Sequence, residues 1–257
     1  MSAVASTMDL LLLPGLLCDD AVWSGVIARL GGGARCAVPA YAGERTLEAM
    51  ALRVLAGAPP RFALAGHSMG ARVALEAVRL APERIERLAL LDTGHRARPE
   101  GPAGESERTK RLALLALARD QGMRAMGREW IRAMIHPTRL ADSELTGAIV
   151  AMVERRTPGE FAAQIEALLA RPDRTATLRA VGVPTLVGCG RDDAWSPLDQ
   201  HREITAHVPG ARLVAFDDCG HMAPMERPDA VAGALADWLG AGAIARPARA
   251  SDSVPAA

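Results

Sequence analysis

The sequence has little that would draw it to a highly charged partner or into a membrane. Its 30 acidic residues balance its 30 basic residues, so no net field favours nucleic acid or an anionic membrane surface. No unbroken apolar run reaches the roughly 18 residues of a transmembrane helix. The leucine-rich N-terminal run has no Lys or Arg before it and stops at Pro14-Gly15, unlike a secretory signal. We therefore expect a cytoplasmic protein with neither nucleic acid nor a membrane as partner.

Cysteine is also scarce, and its positions do not suit a metal site. The four cysteines are spread along the chain, with no C-x-x-C pair and no Cys/His spacing that would bind zinc. The sequence therefore predicts free thiols in a reducing compartment. The only lysine is Lys110, among many arginines and alanines, which indicates a GC-rich bacterial coding bias and says nothing about chemistry.

Short apolar runs, by contrast, recur along the chain. With 257 residues, 49% of them apolar, the chain can bury one large core. Continuous apolar runs indicate strands buried on both faces, and helical segments between them indicate crossover connections. The sequence predicts a doubly wound, mostly parallel α/β sheet. Its strands are expected at residues 9–13, 62–65, 88–91, 185–189 and 213–216, with a further short strand at 36–38.

The pattern changes after residue 95, where strand-like runs stop and helical stretches follow one another. Helices are expected at residues 108–119, 123–134, 142–155 and 159–169, with prolines near their boundaries. This predicts a helical cap, residues 96–174, inserted into a core of residues 1–95 and 175–242. Residues 243–257, rich in Ala, Pro, Ser and Arg, are predicted to form a disordered tail.

One pentapeptide has the pattern of a nucleophile elbow. Gly66-His67-Ser68-Met69-Gly70 follows the apolar run at 62–65 and precedes an amphipathic segment at 71–80. A G-x-S-x-G elbow requires this order of strand, sharp turn and helix, whereas a glycine-rich turn that happens to carry a serine does not. We therefore predict Ser68 as a nucleophile. The Met69 N–H, at a helix N-terminus, is predicted to donate to an oxyanion.

A nucleophilic serine needs a base, and the base needs an acid that orients it. Of the six histidines, His221 is favoured as base, because it follows the apolar run at 213–216. In α/β sheets, loops at the carboxyl ends of strands carry the sites. The acid is expected between serine and histidine in the sequence. Asp192 and Asp193, after the run at 185–189, meet this demand, although either could instead cap the next helix. Asp92, after the run at 88–91, is the reserve candidate.

A second oxyanion donor is expected in the loop after the first strand. Gly15 in this loop lets the backbone approach a ligand closely. The Leu16 N–H is the first choice and the Leu17 N–H the second, although an ordinary turn would look the same in sequence. Among the other histidines, His67 is expected to pack or hydrogen-bond locally. His201 is expected at the surface or at a helix end.

These segments together resemble the α/β-hydrolase superfamily, and the resemblance covers almost the whole chain, to about Leu239. The elbow, the segment Gly190-x-x-Asp193-x-x-x-Pro197 and residues 220–228 around His221 are similar to those of small capped bacterial hydrolases. Esterases, lactonases, carbon-carbon bond hydrolases and the carboxyl-esterase of biotin synthesis share this arrangement. The resemblance implies an α/β-hydrolase fold with a triad of Ser68, Asp193 and His221, and it favours Asp193 over Asp192.

The chain departs from this family in two places. Pro14-Gly15 stands where the family usually has His-Gly, and few residues precede the first strand, so the sheet is expected to lack one or two edge strands. Haloalkane dehalogenases and epoxide hydrolases, which resemble this family, have an aspartate at the nucleophile position. Ser68 argues against both.

The predicted function is that of a serine hydrolase that cleaves a small-molecule carboxylic ester through an acyl-enzyme. This mechanism requires no metal ion and no organic cofactor. The same triad in such relatives also serves carbon-carbon bond hydrolysis or an elimination like that of the menaquinone-pathway synthase. A small-molecule receptor with residual hydrolase activity is a further alternative.

The predicted cap is rich in arginine, and a solvated helix face is the expected role of these side chains. If one of them points inward, a carboxylate-bearing substrate or an acidic carrier protein becomes a candidate partner. Arg72, just after the elbow, is a similar candidate for such a carboxylate, although it is rather expected to face outward or to tie down a loop. The cap arginines include Arg108, Arg111, Arg119, Arg124, Arg128 and Arg132.

Overall fold

Six parallel strands form the central sheet of the protein, whose computed structural model describes residues 8–41 and 43–240. In the sheet the strands are ordered β2-β1-β3-β4-β5-β6, and every neighbouring pair is parallel. The predicted doubly wound α/β sheet is thus confirmed. The predicted tail, residues 243–257, lies outside the described residues. The strands are β1 (Met8–Leu13), β2 (Ala34–Ala37), β3 (Phe62–His67), β4 (Ile85–Leu91), β5 (Thr185–Gly190) and β6 (Arg212–Phe216).

Helices connect and flank these strands. Strand β3 lies between two neighbours and under helices, which is why all six of its residues are buried and its sequence is a continuous apolar run ending in Gly-His. None of the described helices combines the length and the apolar character needed to cross a membrane. The helices around the sheet are α1 (Ala21–Leu30), α2 (Leu47–Gly57), α3 (Met69–Leu80), α7 (Thr175–Arg179), α8 (Leu198–His207), α9 (Ala223–Glu226) and α10 (Pro228–Gly240).

Three further helices lie between β4 and β5: α4 (Gly101–Trp130), α5 (Ser143–Glu154) and α6 (Pro158–Leu169). We call them the helical insertion. The sequence predicts two helices where α4 is one, interrupted only at Gly122, whose φ of 85° and ψ of 164° are tolerated by glycine. Side-chain caps fix the N-termini of α5 and α6. Asp142 accepts the Leu145 N–H at the start of α5, and Thr157 and Glu160 form a capping box at α6. The division into core and cap at the boundaries given above remains a prediction.

The sheet brings the candidate residues together at the carboxyl ends of its strands. The strand order reverses between β1 and β3, and in such sheets ligands bind outside the carboxyl ends of the strands at this switch point. Leu16 and Ser68 follow β1 and β3, while Asp92, Asp193 and His221 follow β4, β5 and β6.

Candidate active site

Ser68 occupies a strained turn between β3 and α3. Its φ of 54° and ψ of −116° lie outside the regions that a side chain normally allows. Two glycines make the tight crossing possible. A Cβ at Gly66 would lie 2.5 Å from the backbone of Ala71, and one at Gly70 would lie 2.3 Å from the carbonyl oxygen of Leu13. The local geometry therefore has the strand, strained serine and helix that the G-x-S-x-G pattern predicts.

His221 lies between Ser68 and Asp193. Its Nε2 is 2.8 Å from Ser68 Oγ, and its Nδ1 is 2.8 Å from Asp193 Oδ2. The other carboxylate oxygen of Asp193 accepts the N–H groups of Trp195 at 2.8 Å and Ser196 at 2.9 Å. Burial opposes ionisation of Asp193, but His221 and these two N–H groups outweigh it, so the pKa of Asp193 falls below its usual value. The three predicted residues are thus in hydrogen-bond contact.

Neither alternative acid contacts the His221 ring. Asp192 is exposed, and its carboxylate lies 3.6 Å from His136 Nε2. Asp92 is fully buried, and it accepts the N–H of Gly190 at 2.9 Å and that of Ala223 at 3.3 Å. Burial, followed by the charge of Asp193, raises the pKa of Asp92 well above its usual range. Asp92 thus braces the loops that carry Asp193 and His221.

Glu226 performs a similar bracing role that sequence reasoning missed. It is 2% exposed, and its Oε1 accepts the N–H groups of Gly220 at 3.0 Å and Met222 at 3.2 Å, on either side of His221. The N–H of His221 itself donates to the carbonyl of Met134, just after α4, at 2.7 Å. The only signal in the sequence is a carboxylate shortly after the histidine, in the segment 220–228.

Two other histidines are buried beside the site. His67 Nε2 lies 2.7 Å from the His221 carbonyl oxygen, which can only accept, so Nε2 carries the proton. Burial, with the nearby His221, lowers the pKa of His67 to about 3, and the expected local role is confirmed. The expectation for His201 is wrong. It is fully buried, because it lies on the inner face of α8, and its Nε2 accepts the Thr93 N–H at 2.9 Å.

A cavity of about 590 Å³ opens above Ser68, between the sheet edge and the helical insertion. Leu16 and Met69 both line it beside Ser68, as their predicted roles as oxyanion donors require. The second choice, Leu17, is occupied, because its N–H donates to Gln164 Oε1 of α6 at 2.8 Å. Apolar side chains form much of the remaining wall, namely those of Trp130, Met134, Leu168, Trp195 and Met222.

Arginine side chains also reach this cavity. Arg111 of α4 lines it, with 11% of its side chain exposed, so the expected solvated face does not include this residue. Arg72 lines the cavity as well as tying down a loop, since its Nη1 donates to the Arg96 carbonyl at 3.0 Å. Arg171, just after α6, is the third of these arginines that line the cavity. The other arginines singled out in the insertion are exposed, as expected: Arg108, Arg119, Arg124, Arg128 and Arg132.

Three potential metal ligands come together elsewhere among the residues that the structure describes. Ligand atoms of His95, Glu203 and His207 all lie within 4.8 Å of one another. Arg96 donates two hydrogen bonds to one oxygen of Glu203, so this carboxylate already has a cationic partner. We describe the group as an ion-pair cluster and assign it no part in the reaction.

Known proteins share this combination of sheet, elbow and histidine loop. The family model described as "Alpha/beta hydrolase family" matches residues 10–234. The chain belongs to the alpha/beta hydrolase family. The resemblance expected from the sequence is thereby confirmed.

This alpha/beta hydrolase has relatives with several named activities. A pimeloyl-[acyl-carrier protein] methyl ester esterase of Aromatoleum aromaticum is 31% identical over 235 residues, covering 86% of this chain and 94% of the relative. A 2-hydroxy-6-oxononadienedioate/2-hydroxy-6-oxononatrienedioate hydrolase of Cupriavidus pinatubonensis is 28% identical over 186 residues, covering 70% of this chain and 62% of the relative. Relatives of the hydrolase thus include a methyl ester esterase and a hydrolase named for two dioates.

Solved structures agree on the fold. A thermophilic esterase from Thermogutta terrifontis superposes with a TM-score of 0.78 at 29% identity, covering 90% of this chain and 89% of that one. The enol-lactonase from Burkholderia xenovorans superposes with a TM-score of 0.80 at 23% identity, covering 93% of each chain. At that identity, the second likeness shows the fold alone.

Proposed function

We propose that this alpha/beta hydrolase cleaves carboxylic esters, with Ser68 as nucleophile, His221 as general base and Asp193 as the acid that orients it. The observation that carries the proposal is the chain of two hydrogen bonds, each 2.8 Å long, that joins the three side chains. A carboxylate only accepts, so Asp193 holds the proton of His221 on Nδ1 and leaves the Nε2 lone pair for the Ser68 hydroxyl.

The proposed reaction has two halves. Ser68 Oγ attacks the ester carbonyl as its proton passes to His221 Nε2, and Asp193 stabilises the imidazolium that forms. His221 then protonates the leaving alcohol, and an acyl-enzyme remains. Water, activated by the same histidine, hydrolyses the acyl-enzyme and restores Ser68.

The negative charge on the carbonyl oxygen needs donors that are already in place. We assign this role to the N–H groups of Met69 and Leu16. Met69 is the first residue of α3, where the N–H groups have no partner within the helix and the helix dipole favours an anion. Leu16 borders the same part of the cavity, and its neighbour Leu17 is held by Gln164.

The relatives support an ester as substrate and keep one other reaction open. The Aromatoleum relative is named as a methyl ester esterase, and its name makes an ester carried on an acidic carrier protein a candidate form of the substrate. The Cupriavidus relative favours carbon-carbon bond hydrolysis as the second candidate. Both reactions can use the same Ser68, His221 and Asp193.

Hydrolysis of p-nitrophenyl acetate and butyrate tests the proposal. We expect turnover by the wild type, and a loss of kcat/KM of at least about 10³-fold in Ser68→Ala, because no other group replaces the nucleophile. Ser24→Ala, an exposed serine on α1, is the matched control and should keep wild-type activity. Turnover that persists in Ser68→Ala would place the nucleophile elsewhere. If the wild type fails on both esters, the carbon-carbon reaction becomes the leading proposal.

A further inference from the structure

Arg72 is a cation in the cavity wall without an acidic partner. It lies in the first turn of α3, four positions after Ser68, and both side chains line the same cavity. Among the residues that the structure describes, no carboxylate lies within ion-pair distance of it. Its one hydrogen bond within residues 8–41 and 43–240, from Nη1 to the Arg96 carbonyl, leaves most of its five N–H donors without an acceptor there.

Two more guanidiniums share the same cavity wall and a single carboxylate. Arg171 donates to both oxygens of Glu107, at 2.7 and 2.8 Å, and Arg111 lies 2.9 Å from the same residue. The Cζ of Arg111 also lies 5.5 Å from the centroid of the Trp195 ring. With Arg72, three guanidiniums therefore lie near one carboxylate, that of Glu107, in this part of the cavity wall.

The surplus positive charge is partly withdrawn from water, since the side chains of Arg171 and Arg111 are 9% and 11% exposed and Arg72 is half-buried. Desolvation, followed by repulsion from Arg171 and Arg111, lowers the pKa of Arg72 to about 9, yet the group stays charged at neutral pH. A charge removed from water without a counterion is costly, so structures that keep one usually pair it with a ligand. A carboxylate suits this position, because its two oxygens match the guanidinium fork.

We propose that Arg72, with Arg111 beside it, binds a carboxylate that the substrate carries in addition to its scissile ester. The substrate class is then a small acid ester, with its acid group held near α3 and its ester carbonyl at Ser68. This inference rests on the proposed esterase function for the reaction, but the binding of the acid is independent of it. An acidic carrier protein would instead meet exposed arginines such as Arg108, since Arg72 is half-buried in the cavity wall.

Two matched pairs of esters test the proposal. Monomethyl adipate differs from methyl hexanoate only in having a carboxylate in place of the last methyl group of the acyl chain. The ester 6-acetoxyhexanoate differs from hexyl acetate in the same way, on the alcohol chain. We expect the wild type to show at least about tenfold higher kcat/KM for the charged member of one pair, which identifies the part that carries the acid. Equal values within both pairs would overturn the proposal.

Variants then assign the preference to Arg72. Arg72→Met should reduce the ratio of charged to uncharged kcat/KM by about 10- to 100-fold, and Arg72→Lys should restore part of it, because lysine keeps the charge but lacks the fork. Arg108→Met removes an exposed guanidinium from the helical insertion and should leave the ratio unchanged. Circular dichroism checks the fold of each variant. A wild-type ratio in folded Arg72→Met would show that another group binds the acid and would overturn the assignment.

Calorimetric titration of the wild type with adipate, against 1,6-hexanediol, needs no variant and separates the two proposals. Adipate binding without hydrolysis of any ester would support the acid site and overturn the esterase proposal. Hydrolysis of methyl hexanoate without adipate binding, and without preference for a charged ester, would leave the esterase standing and overturn the acid site.

Discussion

Gln164 of α6 accepts the main-chain N–H of Leu17 at 2.8 Å, across 147 positions of the sequence. Leu17 has a φ of 62°, a conformation that a leucine rarely adopts without support from its surroundings. The helical insertion therefore does more than cover the cavity. It also fixes the loop after β1, in which the adjacent Leu16 N–H is proposed to bind the oxyanion.

Gln164→Leu should impair catalysis more than substrate binding. The change leaves the buried Leu17 N–H without an acceptor, which costs about 1–3 kcal/mol of folding stability. Without this hydrogen bond the loop also positions the adjacent Leu16 N–H less precisely for the oxyanion. We therefore expect kcat for p-nitrophenyl butyrate to fall by about tenfold, with a smaller change in KM. Steady-state kinetics and urea unfolding measure the two effects.

The matched control for this change is Gln121→Leu, an exposed glutamine on α4. It should leave both kcat and stability close to those of the wild type. An unchanged kcat in Gln164→Leu, with the loss of stability present, would mean that the loop keeps its geometry without this hydrogen bond.

Replacement of Asp193 by asparagine should lower kcat/KM far more than the same replacement of Asp92. Asp193→Asn removes the acceptor that fixes the proton on His221 Nδ1, and we expect kcat/KM to fall by about 10³- to 10⁴-fold. The Gly190 and Ala223 N–H groups bond to different oxygens of Asp92, so Asp92→Asn keeps an acceptor for only one of them, but it does not alter the His221 partner. Its loss of kcat/KM should stay below about tenfold.

The same ester assay, with both variants at equal protein concentration and neutral pH, compares the two losses. The hydrogen bonds support Asp193 as the acid, since Asp92 bonds to main-chain N–H groups. Near-equal losses in the two variants would contradict this division of roles, and a larger loss in Asp92→Asn would make Asp92 the acid.

The elbow is predictable from sequence because its signals are local. The apolar run, the two glycines around Ser68 and the following helix lie within about 20 consecutive residues, and each has a direct steric reason. His221 is predictable for a similar reason, because it directly follows a strand-like run. The bracing roles of Asp92 and Glu226 are different. Their partners are main-chain N–H groups, which every residue has, so no side-chain pattern distinguishes these two carboxylates.

Side-chain direction in the helical insertion is the other feature that the sequence hides. Arg108 and Arg111 belong to the same arginine-rich stretch of α4, yet one is exposed and the other lines the cavity. The difference depends on where α4 rests on the sheet domain, which is a matter of tertiary packing. Gly122 shows the same limit, since a glycine within a helical pattern does not reveal whether the helix continues past it.

Gly70→Ala should destabilise the protein, because the elbow brings α3 against β1. A Cβ at this position would lie 2.3 Å from the Leu13 carbonyl oxygen, and the atom it meets is backbone that cannot rotate away. We expect a loss of about 1–3 kcal/mol or more in the free energy of unfolding. Activity should fall with it, because Ser68 lies in the same turn.

Gly147→Ala on α5 is the matched control, since its Cβ would meet nothing within 4 Å. There the gain in helix propensity should stabilise the protein by about 0.5–1 kcal/mol. Urea unfolding of both variants measures the contrast, and a Gly70→Ala protein as stable as the wild type would show that α3 and β1 can separate without cost.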